Sequence, residues 1–593
     1  MSRTSSFNGT YGAQITDSGK TRFRLWAPEA QAVSVELQMG RSFPMKRLED
    51  GWHETEVPCV AGTRYRYKVA DDVLVADPAS RLQAVDAVGD SVVVDPATYF
   101  WRNTAWRGRP WHETVIYELH VGAMGGFRGV IARLPDLAAL GVTAIELMPI
   151  ADFPGTHNWG YDGVLSYAPD TSYGSPEVLK ALIDTAHDLG LQVFLDVVYN
   201  HFGPDGNFLN TYASTFFNDE VKNNWGSCID YRQAAVRNFF IENAIYWLEE
   251  YRFDGLRFDA VHAITDATFV QELGQRIRAH FDASRHIHLI LENDHNDARF
   301  LRENFNAQWN DDLHHVLHVL LTDETRGYYS AYAQDPIQML ARCLKEGFAY
   351  QGEPSPIHNG APRGEPSNDL PPTAFVSFLQ NHDQIGNRAR GDRLTTLADP
   401  NALRAAATLV LLSPQIPLIF MGEEWGSTKP FLYFVNHEGE LAKAIWQGRI
   451  DEFALAAEPD DDQSVIPDPC DVATYHSSIP DHPTGEEVEY AKWLEFYRQA
   501  LRVRHGKLVP HLQGVRAVDA TVLGPKAVKA SWRMGDGSML SIYCNLSPDT
   551  ATFHHPPVFS DSGILLETRG EAAIMLRQGR LRGFTSVALL ADE

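Results

Sequence analysis

Three carboxylates fall where short apolar runs end: Asp259 in "GLRFDAVHA", Glu292 in "LILEND" and Asp383 in "FLQNHD". Asp196, Asn200 and His201 in "DVVYNH", Arg257 two residues before Asp259, and His382 beside Asp383 crowd the same kind of position. A charge at the end of a buried strand costs several kcal/mol unless it is paired or solvated, so a chain that keeps so many has a use for them. A carboxylate trio suits glycosidic bond cleavage: an alkoxide leaving group needs a proton donor, and an oxocarbenium-like centre needs a nearby anion. Arg257 and Asp259 point to one side of a pleat, where the guanidinium can hold Asp259 ionised. Glu292 follows an apolar run and faces other carboxylates, two influences that raise a carboxyl pKa and suit an acid. No HExxH, GxSxG or GxxxxGK[ST] stretch offers a catalytic metal, a hydrolase elbow or a phosphate cradle, so neither metal nor cofactor is expected.

Eight short apolar strands alternate with amphipathic helices from Thr114 onward, the third, fourth, fifth and seventh ending in these polar groups. They read "TVIYELHVG", "AIELMPI", "QVFLDVVYNH", "GLRFDAVH", "IHLILEND", "AQWNDD", "AFVSFLQNHD" and "IPLIFMGEE". Eight strands close a (β/α)8 TIM barrel, whose C-terminal rim is where such folds place chemistry. Residues 1–100 are cut into alternating hairpin-like runs and predict an N-terminal β-sandwich, like a glycogen-binding module in outline. The barrel is expected over 101–511, and a C-terminal β-domain over 512–593. The long Pro/Gly stretch from Glu346 to Pro372 is expected to be functional or mobile.

The stretch "HNWGYDGVLSYAPDTSYGSPEVL", residues 157–179, places Trp159, Tyr161, Tyr167 and Tyr173 among turn formers, a composition unsuited to helix or regular strand. Two readings stay open for these rings: pins that fasten a loop to the barrel, or a platform covering the apolar face of a pyranose.

Totals exclude several partners. The 593 residues carry 51 Lys and Arg against 77 Asp and Glu, a formal charge of -26 that disfavours nucleic acid and anionic membrane. The five cysteines are scattered, which suggests reduced thiols and a cytoplasmic setting. The N-terminal stretch shows no apolar leader, and no run is long enough for a membrane span.

In order along the chain, "DVVYNH", "GLRFDAVHA", "LEND" and "FLQNHD" resemble the four signatures of the α-amylase superfamily, and with the flanking β-domains the likeness covers essentially the whole chain. That resemblance implies Asp259 as nucleophile, Glu292 as general acid and base, and Asp383 as the group that binds the sugar and stabilises the transition state. It also implies a sugar subsite lined by Tyr161, His201, Arg257 and His382, with Tyr161 as the stacking platform and Tyr167 and Tyr173 as packing. The longer strings "YNHFGPDGNFL", "DAVHAI", "ENDHNDARF", "NHDQIGNR" and "MGEEWGSTKPFLYFVNH" are similar to the maltooligosyltrehalose trehalohydrolase family, which implies cleavage of the α-1,4 bond next to a terminal trehalose unit. Leu291 stands where the superfamily usually has a smaller residue, and the short excursion after the third strand lacks the calcium-holding insert of many amylases, so no calcium is expected. Further candidates for substrate contact are Trp159, His262, Asn387 and Trp425, the last as a wall closing the leaving-group side. Glycogen branching and debranching enzymes share the same trio, and a non-catalytic glucan-binding protein shares the fold, so these remain the alternatives.

Overall fold

A computed structural model describes residues 7–70, 73–222, 225–456, 466–481 and 488–591. The first six residues, part of the stretch read as leaderless, lie outside the described residues.

The centre of the molecule is a closed parallel barrel. Its strands are β1 (Ile116–Leu119), β2 (Ala144–Leu147), β3 (Gln192–Val197), β4 (Gly255–Phe258), β5 (His288–Leu291), β6 (Ala307–Trp309), β7 (Phe375–Phe378) and β8 (Ile416–Phe420). These are the eight strands expected, shortened because the polar tails leave the ladder and become rim loops. Each strand is buried along its whole length, which is why the runs are mostly apolar and show no alternation of buried and exposed positions. Ile116, Phe194, Ile290, Trp309, Phe378 and Leu418 pack into a cluster of their own, so the barrel interior is filled.

Helices cover the outside by the expected spacing. In Gly126–Leu140 the buried residues are Phe127, Val130, Leu134, Leu137 and Leu140, three or four apart, and the chain leaves through Gly141 at φ 107°. In Pro400–Leu412 the Asp399 carboxylate accepts the N–H groups of Asn401 and Ala402, and Pro400 occupies the first turn, where its missing N–H costs nothing.

Two antiparallel sheets form the N-terminal sandwich, one built on Thr21–Trp26 and Trp52–Val57, the other on Ser34–Leu37 and Arg64–Ala70. Phe23, Val35, Val57, Tyr65 and Tyr67 are buried in it. It docks on the barrel helix Ala234–Glu250, where the Tyr11 hydroxyl donates to the Ala235 carbonyl at 2.5 Å. The C-terminal five-stranded sheet, Arg516–Gly524 to Thr585–Ala591, is fastened to the barrel by Ser586 donating to the Ala405 carbonyl at 2.8 Å and Trp532 to the Leu344 carbonyl at 3.2 Å.

Two expectations change. Residues Leu165–Pro169, inside the aromatic stretch, form a strand paired with Ala151–Asp152; alternation over five residues is enough for a two-stranded ribbon, although the surrounding composition reads as turn. The Pro/Gly stretch 346–372 is tied down, because the buried Arg363 guanidinium donates to Asp312 at 2.8 Å, the Tyr332 hydroxyl at 2.7 Å and the Asp294 carbonyl at 2.7 Å. Among the described residues the five cysteines are unbridged, and no helix is long and apolar enough to cross a membrane.

Candidate active site

Arg257, on β4, organises the C-terminal rim. Its side chain is wholly buried, and it donates through Nη1 to Asp196 at 2.8 and 3.0 Å and to Asp259 at 2.9 Å, and through Nη2 to Glu292 at 2.9 Å. The register makes this possible, since Asp196 on β3 lies directly across from Arg257, and Asp259 and Glu292 each follow the last residue of their strand. The Trp309 ring from β6 lies under the guanidinium at 4.1 Å, a cation–π contact that a desolvated arginine strengthens.

Asp259 also accepts from Asn200 Nδ2 at 2.6 Å. Immediately after it, Ala260 takes a left-handed conformation at φ 39°, which costs a non-glycine residue about 1–2 kcal/mol. In return the Ala260 N–H donates to Glu292 Oε2 at 2.8 Å. Strain of this kind persists where surrounding contacts over-determine the turn.

On the opposite side of the rim, Asn381 caps the short helix His382–Gly386 through a capping box with Gln384. That cap fixes His382 and Asp383 at the start of the helix. His382 is buried, with Nδ1 2.5 Å from Glu118 and Nε2 2.8 Å from the Tyr161 hydroxyl and 3.5 Å from Asp383 Oδ1. Asp383 keeps 35% of its side chain exposed, so it can meet a ligand.

The electrostatics reverse one expectation. Burial, Glu292 and Asp196 push the Asp259 carboxyl well above its ordinary value, more than Arg257 and Asn200 lower it. Burial would also raise Glu292, but Arg257, His262 and the Ala260 N–H outweigh it and hold that carboxyl below its usual range. The sequence suggested the opposite, because it shows neither the shared guanidinium nor the backbone N–H. Asp383 is raised by burial, partly offset by His382, and burial lowers His201 to about 4. Among the described residues no group of three His, Cys, Asp or Glu is placed to hold a metal ion.

Comparison with known sequences fits this geometry. The alpha amylase catalytic domain matches residues 117–228, carbohydrate-binding module 48 (isoamylase N-terminal domain) matches 10–80, and a C-terminal domain of unknown function, DUF3459, matches 515–574. The malto-oligosyltrehalose trehalohydrolase of Deinococcus radiodurans is 40% identical over 501 residues, covering 83% of this chain and 82% of its own. That of Arthrobacter ramosus is 40% identical over 525 residues, covering 84% and 89%. The chain belongs to the malto-oligosyltrehalose trehalohydrolase family. A crystal structure of a Salmonella typhimurium protein, provisionally named an alpha amylase, superposes with a TM-score of 0.92 at 42% identity over 99% of this chain and 100% of that one.

This trehalohydrolase-family chain is a glycoside hydrolase, and it gathers most of the residues singled out from the sequence. Tyr161 lies half-buried over the rim, its ring stacked on His382 at 5.3 Å and its hydroxyl donating to Asp196 at 2.7 Å. His201 is paired with Asn200 and stacks near Trp225 at 5.9 Å. His262 accepts the Asp294 N–H at 3.2 Å, and Asn387 reaches Asp383 at 3.5 Å and Arg449 at 3.3 Å. Arg257 lies beneath the carboxylates and acts through them.

Two residues are placed elsewhere. Trp159 is 3% exposed, stacked on Phe431 at 5.5 Å with its Nε1 donating to the Leu432 carbonyl at 2.9 Å, so it pins the loop and presents no face to a ligand. Tyr167 and Tyr173 are buried as well, which settles the question of the aromatic stretch: one ring of four stands at the rim. Trp425 is 1% exposed, with the guanidinium of Arg133 from helix Gly126–Leu140 5.7 Å from its ring. It packs against an outer helix and is no wall of the rim.

The sequence reading missed Glu118, on β1, whose position at the end of a barrel strand is the same signal that found the others. It also passed over Glu146, on β2, buried beside Glu118 in register, and Trp225, about half-exposed on a polar hairpin, where no periodicity marks it.

Proposed function

We propose that this protein hydrolyses the α-1,4 bond next to the terminal trehalose unit of maltooligosyltrehalose, releasing trehalose by a retaining double displacement. The observation that carries the chemistry is the placement of Asp259 and Glu292 on adjacent nitrogens of one buried guanidinium, the side-by-side arrangement that a retaining pair about 5 Å apart requires. The substrate follows from the relatives whose names specify it.

Glu292 protonates the glycosidic oxygen as the Asp259 carboxylate attacks the anomeric carbon; the C–O bond breaks and trehalose departs with that proton. Glu292, now a carboxylate, takes a proton from water, whose oxygen attacks the same carbon and frees Asp259. In a tightly coupled pair the single proton belongs to the pair. A glycosidic oxygen in front of Glu292 gives its O–H an acceptor, which moves the proton from Asp259 to Glu292 as substrate binds. Asp383, partly exposed beside His382, binds sugar hydroxyls and faces the developing positive charge, while Tyr161, His201, His262 and Asn387 border the sugar. The unbridged cysteines fit a cytosolic enzyme.

Product chromatography after incubation with maltooligosyltrehalose, maltopentaose and amylose tests the reading. Maltooligosyltrehalose should be cleaved far faster than a maltooligosaccharide of equal length, with free trehalose as product. Equal cleavage of both would overturn it in favour of a general α-1,4-glucanase, and glucan transfer without trehalose in favour of a branching activity; turnover of a branched α-1,6-containing glucan alone, as a fourth substrate, would favour a debranching enzyme, and no turnover of any of them a glucan-binding protein.

A further inference from the structure

A count of protons along one chain of hydrogen bonds assigns a role to Glu118. The chain runs from Glu118 to His382 Nδ1 at 2.5 Å, from His382 Nε2 to the Tyr161 hydroxyl at 2.8 Å, from that hydroxyl to Asp196 Oδ2 at 2.7 Å, and from Asp196 to Arg257 at 2.8 Å. Arg257 can only donate, so Asp196 accepts from it, and above its raised pKa of about 6 Asp196 is a carboxylate that also accepts the one hydrogen of Tyr161. Tyr161 must therefore accept from His382, which puts a hydrogen on Nε2. At the other end, Glu118 accepts the His382 backbone N–H at 3.2 Å through one oxygen, and its second oxygen meets Nδ1; opposite a Glu118 carboxylate, Nδ1 carries a hydrogen too, and the ring then carries both.

We propose that Glu118 is a positioning residue that keeps His382 an imidazolium, and through it holds the Tyr161 hydroxyl against Asp196 and sets a second cation beside Asp383. The inference deepens the proposed glycosidase site and rests on that reading for its kinetic consequence, though not for its structural one.

Charge balance gives the device its purpose. Asp196, Asp259, Glu292 and Asp383 converge on one rim, and Arg257 touches the first three but not the fourth. His382 is the cation at Asp383, 3.5 Å away. The groups that act on His382 come from several elements. Glu118 and His120 lie on and just after β1, Glu146 on β2, Asp196 on β3, Arg257 on β4 and Glu292 just after β5. His120 is kept neutral by burial, its pKa lowered to about 4. Glu146 is fully buried with no hydrogen-bond partner for either oxygen among the described residues, and burial, with Glu118 and Asp196, raises it well above the ordinary range, so it is neutral too. Burial alone would lower His382, but Asp383 and Glu118 outweigh it and raise it to about 9. Of the two carboxylates, only Glu118 touches Nδ1 and is sealed from solvent.

The test is Glu118→Gln, which keeps the size and an acceptor for the backbone N–H but removes the charge. The pH profile of kcat/KM is measured for variant and wild type on whichever α-1,4-glucan the wild type cleaves. The basic limb should move down by about 1.5 pH units from about 9, which leaves kcat/KM nearly unchanged at pH 5.5, lowers it about fourfold at pH 8 and lowers it on the order of 30-fold at pH 10. A uniform loss with the limb unmoved would overturn the proposal, since a merely structural role has no reason to shift it. A second measurement needs neither substrate nor a folded Glu118 variant. In the wild-type protein labelled with 15N-histidine, the resonances that vanish in His382→Gln should show both ring nitrogens protonated at pH 7.5. A neutral tautomer there would overturn the proposal even if the glycosidase reading stands, whereas an imidazolium with no glucan hydrolysis would overturn that reading and leave the proposal's structural claim in place.

Discussion

Arg257→Lys retains the charge and removes the fork, and the consequence can be worked from the hydrogen bonds the fork makes. Arg257 commits Nη1 to Asp196 and Asp259 and Nη2 to Glu292. A lysine ammonium is one point with three donors and cannot reach three carboxylates arranged around a planar fork. Asp196 and Asp259 already share one nitrogen, so a lysine can keep them, and Glu292 is then the carboxylate without a cation. Removing one charge-assisted bond costs about 1.5–3 kcal/mol. The carboxylate left behind is part-buried, keeps the Ala260 N–H and has lost the cation it touched, which brings the total toward about 3–5 kcal/mol. The Trp309 ring also gives up its guanidinium. With tenfold in rate per 1.36 kcal/mol, kcat/KM should fall on the order of 10²–10⁴-fold. Glu292 should in addition bind a proton more tightly, because its largest lowering influence is gone. The assay is trehalose release under kcat/KM conditions, with circular dichroism to confirm a folded variant. A folded Arg257→Lys within tenfold of wild type would refute the idea that the fork, and not just its charge, sets the trio.

Other predictions rest on particular side chains. Glu292→Gln should lose most activity on the natural substrate and recover part of it on an aryl glycoside whose leaving group needs no proton; equal losses on both would argue against an acid at this position. Trp425→Ala should lower stability by about 3–5 kcal/mol, the range for emptying a buried tryptophan site, while the ratio of rates on maltooligosyltrehalose and maltooligosaccharide stays unchanged; denaturant titration and paired kinetics check both, and a changed ratio would contradict its placement away from the rim. Asp254 is fully buried, and although burial would raise it, His187, Trp106 and the Val193 N–H hold it below its ordinary value. Its contribution is therefore present above the unfolded carboxyl pKa of about 3.9 and lost as pH falls through the folded one; Asp254→Asn should lower stability at pH 7 and flatten the acid limb of the stability profile, and an unchanged limb would count against this linkage.

The barrel was legible because a buried parallel strand writes itself as a short apolar run, and because the polar residues ending those runs have no packing reason to be there. Asp259, Glu292 and Asp383 stood out on that ground alone, and Glu118 was available to the same argument. What stayed hidden depends on three-dimensional neighbours. The direction in which Asp259 and Glu292 are shifted turns on the Ala260 N–H and on one guanidinium serving three strands, and no spacing encodes either. Trp159 and Trp425 share the composition of surface platforms, yet each is fixed by residues far along the chain, Leu432 for the first and Arg133 for the second. Aromatic residues in polar loops carry no periodicity to separate pin from platform.

The most direct test of the whole account is a proton NMR time course of maltotriosyltrehalose hydrolysis, followed faster than mutarotation. It reads the product and the stereochemistry at once. A trehalose anomeric signal should rise together with the α-anomer of the new maltotriose reducing end, the β-anomer appearing only as mutarotation proceeds. Appearance of the β-anomer first would contradict the double displacement through Asp259, and glucose or maltose released in place of trehalose would contradict the substrate.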